Sequence, residues 1–477
     1  MLRSRIASVS FSLVGVLALV GCGGGSGLSL VPASSSQQQN VMVIDEGFDL
    51  SVSELHGRVA AAYTETCADE PTAGADAAVS ADAGSADAGN VDAGGSFDQM
   101  KQALLTALGT PDDSCHLTAG IGAKPDPLPS IAQFRGRWNA MIRANRLAGD
   151  AFTAAEVAAL MTAFDAPDFQ AFPYHGTSTA GTVVHENPSV RLVLVERQLE
   201  SEAAAQSSFT CFVQSDIDQA VQLFSDPEVY AAWVSQPVQL DSDIAAAQTQ
   251  YDVGLVNESF GSSSRETLEM LQASSNCPAP VDLSAYFTLL NRAGLAHAAT
   301  IAGPPLLTVQ AAGNDGVEID SGADSLSCDL GDPRSLLVGS TDTLQVRSVF
   351  SDFGACVDVF APGESIVAPY AGDWLIPVDG TSFASPIVVR QISLTAPVPA
   401  PFDPASARTA LLAQRLSDGS LPIGLFPSDF FYLPGQSPVA ALGGGVPWRR
   451  AGPRPVSRVD LHRVLHPLSL LRSLRRR

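Results

Sequence analysis

Six short runs of the chain carry several consecutive apolar residues: Val41–Ile44, Val190–Val195, Gly254–Val256, Leu306–Val309, Leu336–Val338 and Val357–Phe360. Successive side chains of a strand point to opposite faces, so a run without alternation reads as a strand buried on both faces. A sheet covered by helices on each side provides that burial, and helical stretches separate the runs. The pattern predicts an α/β chain with a mostly parallel sheet between helix layers. At 45% hydrophobic and 16% charged residues, the chain has the apolar surface such a core needs.

Charge narrows the partners. Fifty acidic residues against 27 basic ones give a net charge of −23. Phosphate backbones demand the opposite sign, so nucleic acid is excluded as a general partner. The charge is uneven. Residues 449–477 hold nine Arg and one Asp, while the rest of the chain is strongly acidic. Leu461, Val464, Leu465 and Leu468 give this basic tail one apolar face, suited to weak contact with anionic lipid or left in solvent.

Arg3 and Arg5 precede an apolar run, Ile6 to Val20, that is short for a membrane span and fits an export signal. It ends in Leu19-Val20-Gly21-Cys22, which resembles a bacterial lipobox: cleavage before Cys22 and lipidation of its thiol. An ordinary export signal is the alternative. The expectation is an exported lipoprotein anchored to a membrane through Cys22, on the periplasmic or cell-surface side. Cysteines 67, 115, 211, 277, 328 and 356 remain, an even number in an oxidising compartment. Three disulfides are expected, with about 15 pairings open. No spacing suggests a metal site.

The chain divides into a signal (1–22), a Gly/Ser/Gln-rich tether (23–40), a catalytic body (41–66 and 172–416), an acidic linker (67–98), a helical insertion (97–171) and a C-terminal extension (417–477). Residues 68–98 hold seven acidic residues, no Lys or Arg, and Asp-Ala-Gly repeated every five residues. That composition reads as a solvated linker, and Cys67 with Cys115 would close it into a loop. In the insertion, Met100, Leu104, Leu105 and Leu108, then Ile131, Phe134, Trp138 and Ile142, fall at helical spacing. Thr153 with Glu156 forms a capping-box pattern.

Four motifs stand where strands end, the edge at which such sheets place ligands. They are Val43-Ile44-Asp45-Glu46-Gly47, His175-Gly176-Thr177-Ser178-Thr179-Ala180-Gly181-Thr182, Ala311-Ala312-Gly313-Asn314-Asp315-Gly316 and Gly380-Thr381-Ser382-Phe383-Ala384-Ser385-Pro386. Acyl transfer at neutral pH needs a nucleophile, a base, a carboxylate to orient the base, and donors for the oxyanion. Ser382, His175, Asp45 and Asn314 are residues of those types, and a serine near a helix start has backbone N–H groups to offer.

In this order the motifs resemble the subtilisin-like serine peptidases. Asn257-Glu258-Ser259-Phe260-Gly261, Phe350-Ser351-Asp352-Phe353-Gly354 and Asp358-Val359-Phe360-Ala361-Pro362-Gly363 extend the resemblance over 41–66 and about 172–416. It implies the subtilisin-like three-layer α/β fold and a serine endopeptidase without a cofactor or metal. Ser382 would attack, His175 carry the proton, Asp45 orient His175, and Asn314 with the Ser382 N–H bind the oxyanion. Ser259, Phe260, Gly261, Ala311, Ala312 and Gly313 would pair with an extended peptide or protein substrate.

The chain departs from the family in three places. Ser178 stands where a second His is common, an expected change at the rim. Glu46 follows Asp45 where a small hydroxyl residue is usual, a second carboxylate able to perturb the Asp45–His175 pair. Only residues 23–40 separate the lipobox from the first strand, too few for a folding-assistant prodomain. An esterase or amidase using the same residues, and a surface binding or structural protein with little activity, are the competing readings. Glu318, Asp320 and Asp324 are candidates for a pocket that prefers basic side chains. The insertion leaves after Asp45 and returns before His175, so it is expected to cover part of the cleft or to pack as a surface addition.

Overall fold

The computed structural model describes residues 38–67, 97–145, 151–166, 172–197, 211–259, 280–301, 305–328, 332–395 and 402–427, with short stretches and single residues between and after them. Cys22, Phe260, Gly261, the signal, most of the tether and most of the acidic linker lie outside the described residues.

The apolar runs are the strands of one eight-stranded sheet. They are β1 (Gln39–Asp45), β4 (Val190–Glu196), β5 (Val253–Glu258), β6 (Leu307–Ala311), β7 (Ser335–Thr341) and β8 (Val359–Pro362). Two further strands, β2 (Val59–Cys67) and β3 (Cys115–Ala119), complete it. The order is β3-β2-β4-β1-β5-β6-β7-β8, and every pair is parallel except β2–β3.

Both-face burial is visible along β1. Val41 and Val43 join the main core, while Met42 and Ile44 join a cluster on the other face. Helices α4 (His175–Val184) and α9 (Thr381–Thr395) pack on the first face. Helix α7 (Gln239–Gln250) contributes Ala247 to the second. The fold is the expected three-layer α/β arrangement.

The insertion is not a separate helical unit. Its first helix, α1 (Phe97–Leu108), packs Leu104 and Leu108 with α5 (Gln214–Phe224), α6 (Pro227–Val234) and α8 (Ser284–Ala298). Its next segment is β3, a strand where the sequence reading had helix. Helices α2 (Arg135–Arg143) and α3 (Ala154–Phe164) belong to the main core, and Thr153 and Glu156 form the expected capping box. They bear on a hairpin of β9 (Ile366–Tyr370) and β10 (Trp374–Val378). There Trp138 Nε1 donates to the Leu375 carbonyl, and Asn139 bonds Asp373 and Leu375.

Leu468 and Leu471 are buried against the α1–α5–α8 cluster. Leu468 therefore faces protein and is not available as part of a lipid-facing stripe. The three disulfides are Cys67–Cys115, Cys211–Cys277 and Cys328–Cys356. The first ties β2 to β3 at the base of the acidic linker, as the sequence suggested.

Candidate active site

Asp45 ends β1 with its side chain wholly buried, yet each oxygen has a donor. The Glu46 N–H lies 2.7 Å and His175 Nδ1 2.7 Å from Oδ1, and the Thr179 hydroxyl donates to Oδ2 at 2.8 Å. His175 opens α4, and the two segments are locked together. Gly176 N–H donates to the Glu46 carbonyl at 2.6 Å, and Thr177 N–H to the Gly47 carbonyl at 3.2 Å. Gly47 has a φ of +63°, and a Cβ there would fall 1.7 Å from the Pro173 carbonyl oxygen, so this close approach requires glycine.

Ser382 is the second residue of α9. Its hydroxyl donates to the Ser259 carbonyl at 2.8 Å and is not hydrogen-bonded to His175. The His175 ring lies 5.6 Å from the ring of Phe383, the residue after the serine. Strand β5 is tied to the same helix: the Ser385 hydroxyl donates to Asn257 Oδ1, and Asn257 Nδ2 to the Ser259 hydroxyl, each at 2.8 Å.

Asn314 follows β6. Its Oδ1 accepts from the Thr381 N–H at 2.8 Å and from the Thr381 hydroxyl at 2.9 Å. A backbone N–H can only donate, so the oxygen must face Thr381 and the NH₂ is left as a donor. Thr381, the residue before Ser382, thereby sets the orientation of the Asn314 amide.

Of the segments expected to meet a peptide, Ser259, Ala311 and Ala312 are buried. The Ala312 side chain packs with Ile319, Cys328 and Cys356. Asp324 is engaged with its own loop, its Oδ2 accepting from the Asp320 and Ser321 N–H groups, while Asp320 Oδ1 accepts from the Ala355 N–H of a distant segment. Ser178 is buried and donates to the Pro369 carbonyl at 2.7 Å. It joins α4 to β9, and the expectation of a rim position is corrected. Glu46 supports Asp45 through its backbone N–H. Its carboxylate, after burial and Tyr174, adds to a rise of the Tyr370 phenol well above its ordinary range.

Sequence reasoning missed three contributors. Thr179 stands four residues after His175, which puts both on one helix face. Thr381 lies inside a motif read only for its serine. Asp352 is a buried carboxylate beneath the Asn314 loop. Its Oδ1 accepts from the Asp315 N–H at 2.9 Å and the Val317 N–H at 3.2 Å, and its own N–H donates to the Gly313 carbonyl at 3.1 Å. Burial pushes its carboxyl up to about 6; the bond from Val317 opposes the rise and the Asp315 charge adds to it. Among the described residues, the one group with metal-ligand proximity is Glu65, Cys67 and Cys115, and its cysteines are joined in a disulfide.

The sequence pattern of the subtilase family matches residues 36–414. Alkaline protease 1 of Aspergillus clavatus is 36% identical over 86 residues, 18% of this chain and 20% of that protein. Alkaline serine protease ver112 of Corniculantispora psalliotae is 36% identical over 118 residues, 24% of this chain and 28% of that protein. Subtilisin BL of Lederbergia lenta is 36% identical over 89 residues, 19% and 31% of the two chains. The chain thus matches less than a third of the length of each of these relatives. Among solved structures, a cold-adapted subtilisin-like serine proteinase shares 16% identity over 81% of this chain and 87% of its own, with a TM-score of 0.33. The PatG macrocyclase in complex with peptide shares 13% over 90% and 93%, with a TM-score of 0.37.

Proposed function

The chain belongs to the subtilase family, and from that membership we propose that it is a serine endopeptidase using Ser382, His175 and Asp45, with Asn314 as oxyanion donor. The observation that carries this reading is the buried 2.7 Å contact between His175 Nδ1 and Asp45 Oδ1, beside the helix that bears Ser382. A carboxylate on Nδ1 holds the proton there and leaves Nε2 as the base.

The Ser382 hydroxyl first turns from the Ser259 carbonyl to Nε2. Its oxygen then bonds the scissile carbonyl carbon as the proton passes to His175. The carbonyl oxygen becomes an anion, met by the Asn314 NH₂ and the Ser382 N–H. Collapse of this intermediate breaks the C–N bond, and His175 gives its proton to the departing amine. Water, activated by His175, then releases the acyl group from Ser382. Extended substrate would lie along Ser259–Gly261 and Ala311–Gly313.

The test is labelling by a fluorophosphonate, with Ser382→Ala as control and turnover of a protein substrate alongside. Labelling confined to the intact serine is expected; an unlabelled, inert protein would remove the reading. One observation favours the runner-up, a surface-binding protein of low activity: the Ser382 hydroxyl is held by Ser259 and not by His175.

The same proposal places the enzyme on a membrane through lipidated Cys22. It is supported by Arg3 and Arg5, the apolar run Ile6 to Val20, and Cys22 directly after Gly21. Among the described residues no helix is long and apolar enough to cross a membrane. Cys22→Ser should move the protein to the soluble fraction. Unchanged partition, with no lipid found by mass spectrometry, would sink the anchor.

A further inference from the structure

A ladder of aromatic rings runs from the insertion to His175. Trp138 of α2 meets Phe164 of α3 with ring centres 4.8 Å apart, and Phe164 meets Phe169 at 5.3 Å. Phe169 meets Tyr370 of β9 at 5.4 Å, and Tyr370 meets Phe172 at 5.0 Å. Phe172 stands edge-on to the His175 ring at 5.8 Å and to Phe383 at 6.2 Å. With Phe383 also against His175, the imidazole is flanked by two aromatic rings.

Phe172 reaches this position with a φ of +54°. A bulky side chain seldom adopts the left-handed region and keeps it only where the surroundings enforce it. Here they do. The Phe172 N–H donates to the Phe169 carbonyl at 2.9 Å, the Pro173 carbonyl presses on Gly47, and the following N–H groups bond the Asp45 loop. Asp45 fixes one ring nitrogen of His175, but a single hydrogen bond leaves the ring free to tilt about it.

We propose that Phe172 is a positioning residue: its ring, packed against Tyr370 and Phe383, holds the tilt of the His175 imidazole so that Nε2 faces Ser382. This rests on the triad reading. The tilt matters for proton transfer and not for peptide binding, so its loss should appear in kcat and leave KM unchanged.

The experiment compares Phe172→Leu, Phe172→Ala and Phe172→Tyr in the full chain, with a small peptide substrate and rates expressed per fluorophosphonate-titrated site. Phe164→Leu, in the same ladder but away from His175, is the control for a purely structural effect. Phe172→Leu and Phe172→Ala should lose about three- to tenfold in kcat, the kinetic equivalent of one aromatic contact, with KM held within about twofold. Phe172→Tyr keeps the ring and should recover most of the rate, while Phe164→Leu should lower the melting temperature and leave kcat per site unchanged. Where Phe172→Ala fails to fold, Phe172→Leu decides. Wild-type kcat in Phe172→Leu, or equal losses in Phe172→Leu and Phe164→Leu, would overturn the positioning role. A wild-type protein that takes no label would instead overturn the triad reading beneath it.

Discussion

Replacing Asp352 by Asn should stabilise the protein at neutral pH, and the size follows from the burial of that carboxylate. Its pKa rises from an ordinary 3.8 to about 6 on folding, with burial the largest cause. A raised folded-state value means the folded protein binds the proton more tightly than the unfolded chain. The contribution to stability is therefore complete below about pH 3.8 and is lost as the pH climbs through about 6. Two pKa units or slightly more amount to about 3 kcal/mol carried as a penalty at pH 8. Asn bears no charge, and its carbonyl oxygen can take the Asp315 and Val317 N–H groups as Asp352 Oδ1 does. Its NH₂ needs a new acceptor beside Gly313, which offsets about 1 kcal/mol. The expected net gain is about 2 kcal/mol at pH 8, shrinking to nothing or slightly below at pH 4. Urea unfolding at both pH values, in a Ser382→Ala background to prevent self-digestion, reads the difference directly. A pH-independent difference between Asp352→Asn and its parent would refute the reasoning, since the charged state of a buried carboxylate would then not be its source.

Other outcomes can be checked with the same preparations. Asn314→Ala should lose about 10²–10³-fold in kcat, the loss known from removing one oxyanion donor in a subtilisin, with little change in KM. Thr179→Val should cost about 1–3 kcal/mol by leaving Asp45 Oδ2 without its donor, read by urea unfolding, and should slow turnover as well. Cys67→Ser combined with Cys115→Ser should cost about 4 kcal/mol, because the bond closes a loop across 48 positions; an unchanged unfolding midpoint would speak against this. Deleting 68–96 should leave a folded protein. Deleting 128–171 as well would uncover Trp374 and Tyr370 and should abolish soluble expression.

The central strands could be read from the sequence because burial on both faces removes any need for polar alternation. Val41 to Ile44 serve two cores at once. The edge escaped the same reading. Residues Val59–Cys67 are rich in alanine and largely half-buried, and Cys115–Ala119 has exposed positions, so neither forms an apolar run. The Thr153–Glu156 cap was legible because it is local. The four motifs were legible for the same reason, each being a few adjacent residues. Asp352, Thr381 and Phe172 matter through partners brought near only by the fold, and no spacing signals them. Ser178 was misread at the rim because sequence position on α4 does not reveal that its face is covered by β9.

The bond between Cys67 and Cys115 also changes what a single cut can do. The acidic stretch lies between its two ends, in a chain that shares its family with proteases. A break of any one peptide bond between those cysteines leaves two fragments that cannot part, since β2 and β3 remain covalently joined. Such a nicked molecule would keep its mass within one water, run as a single band without reductant, and separate into two only when the disulfide is opened. The segment most open in composition to attack is thus also one whose cleavage does not divide the molecule.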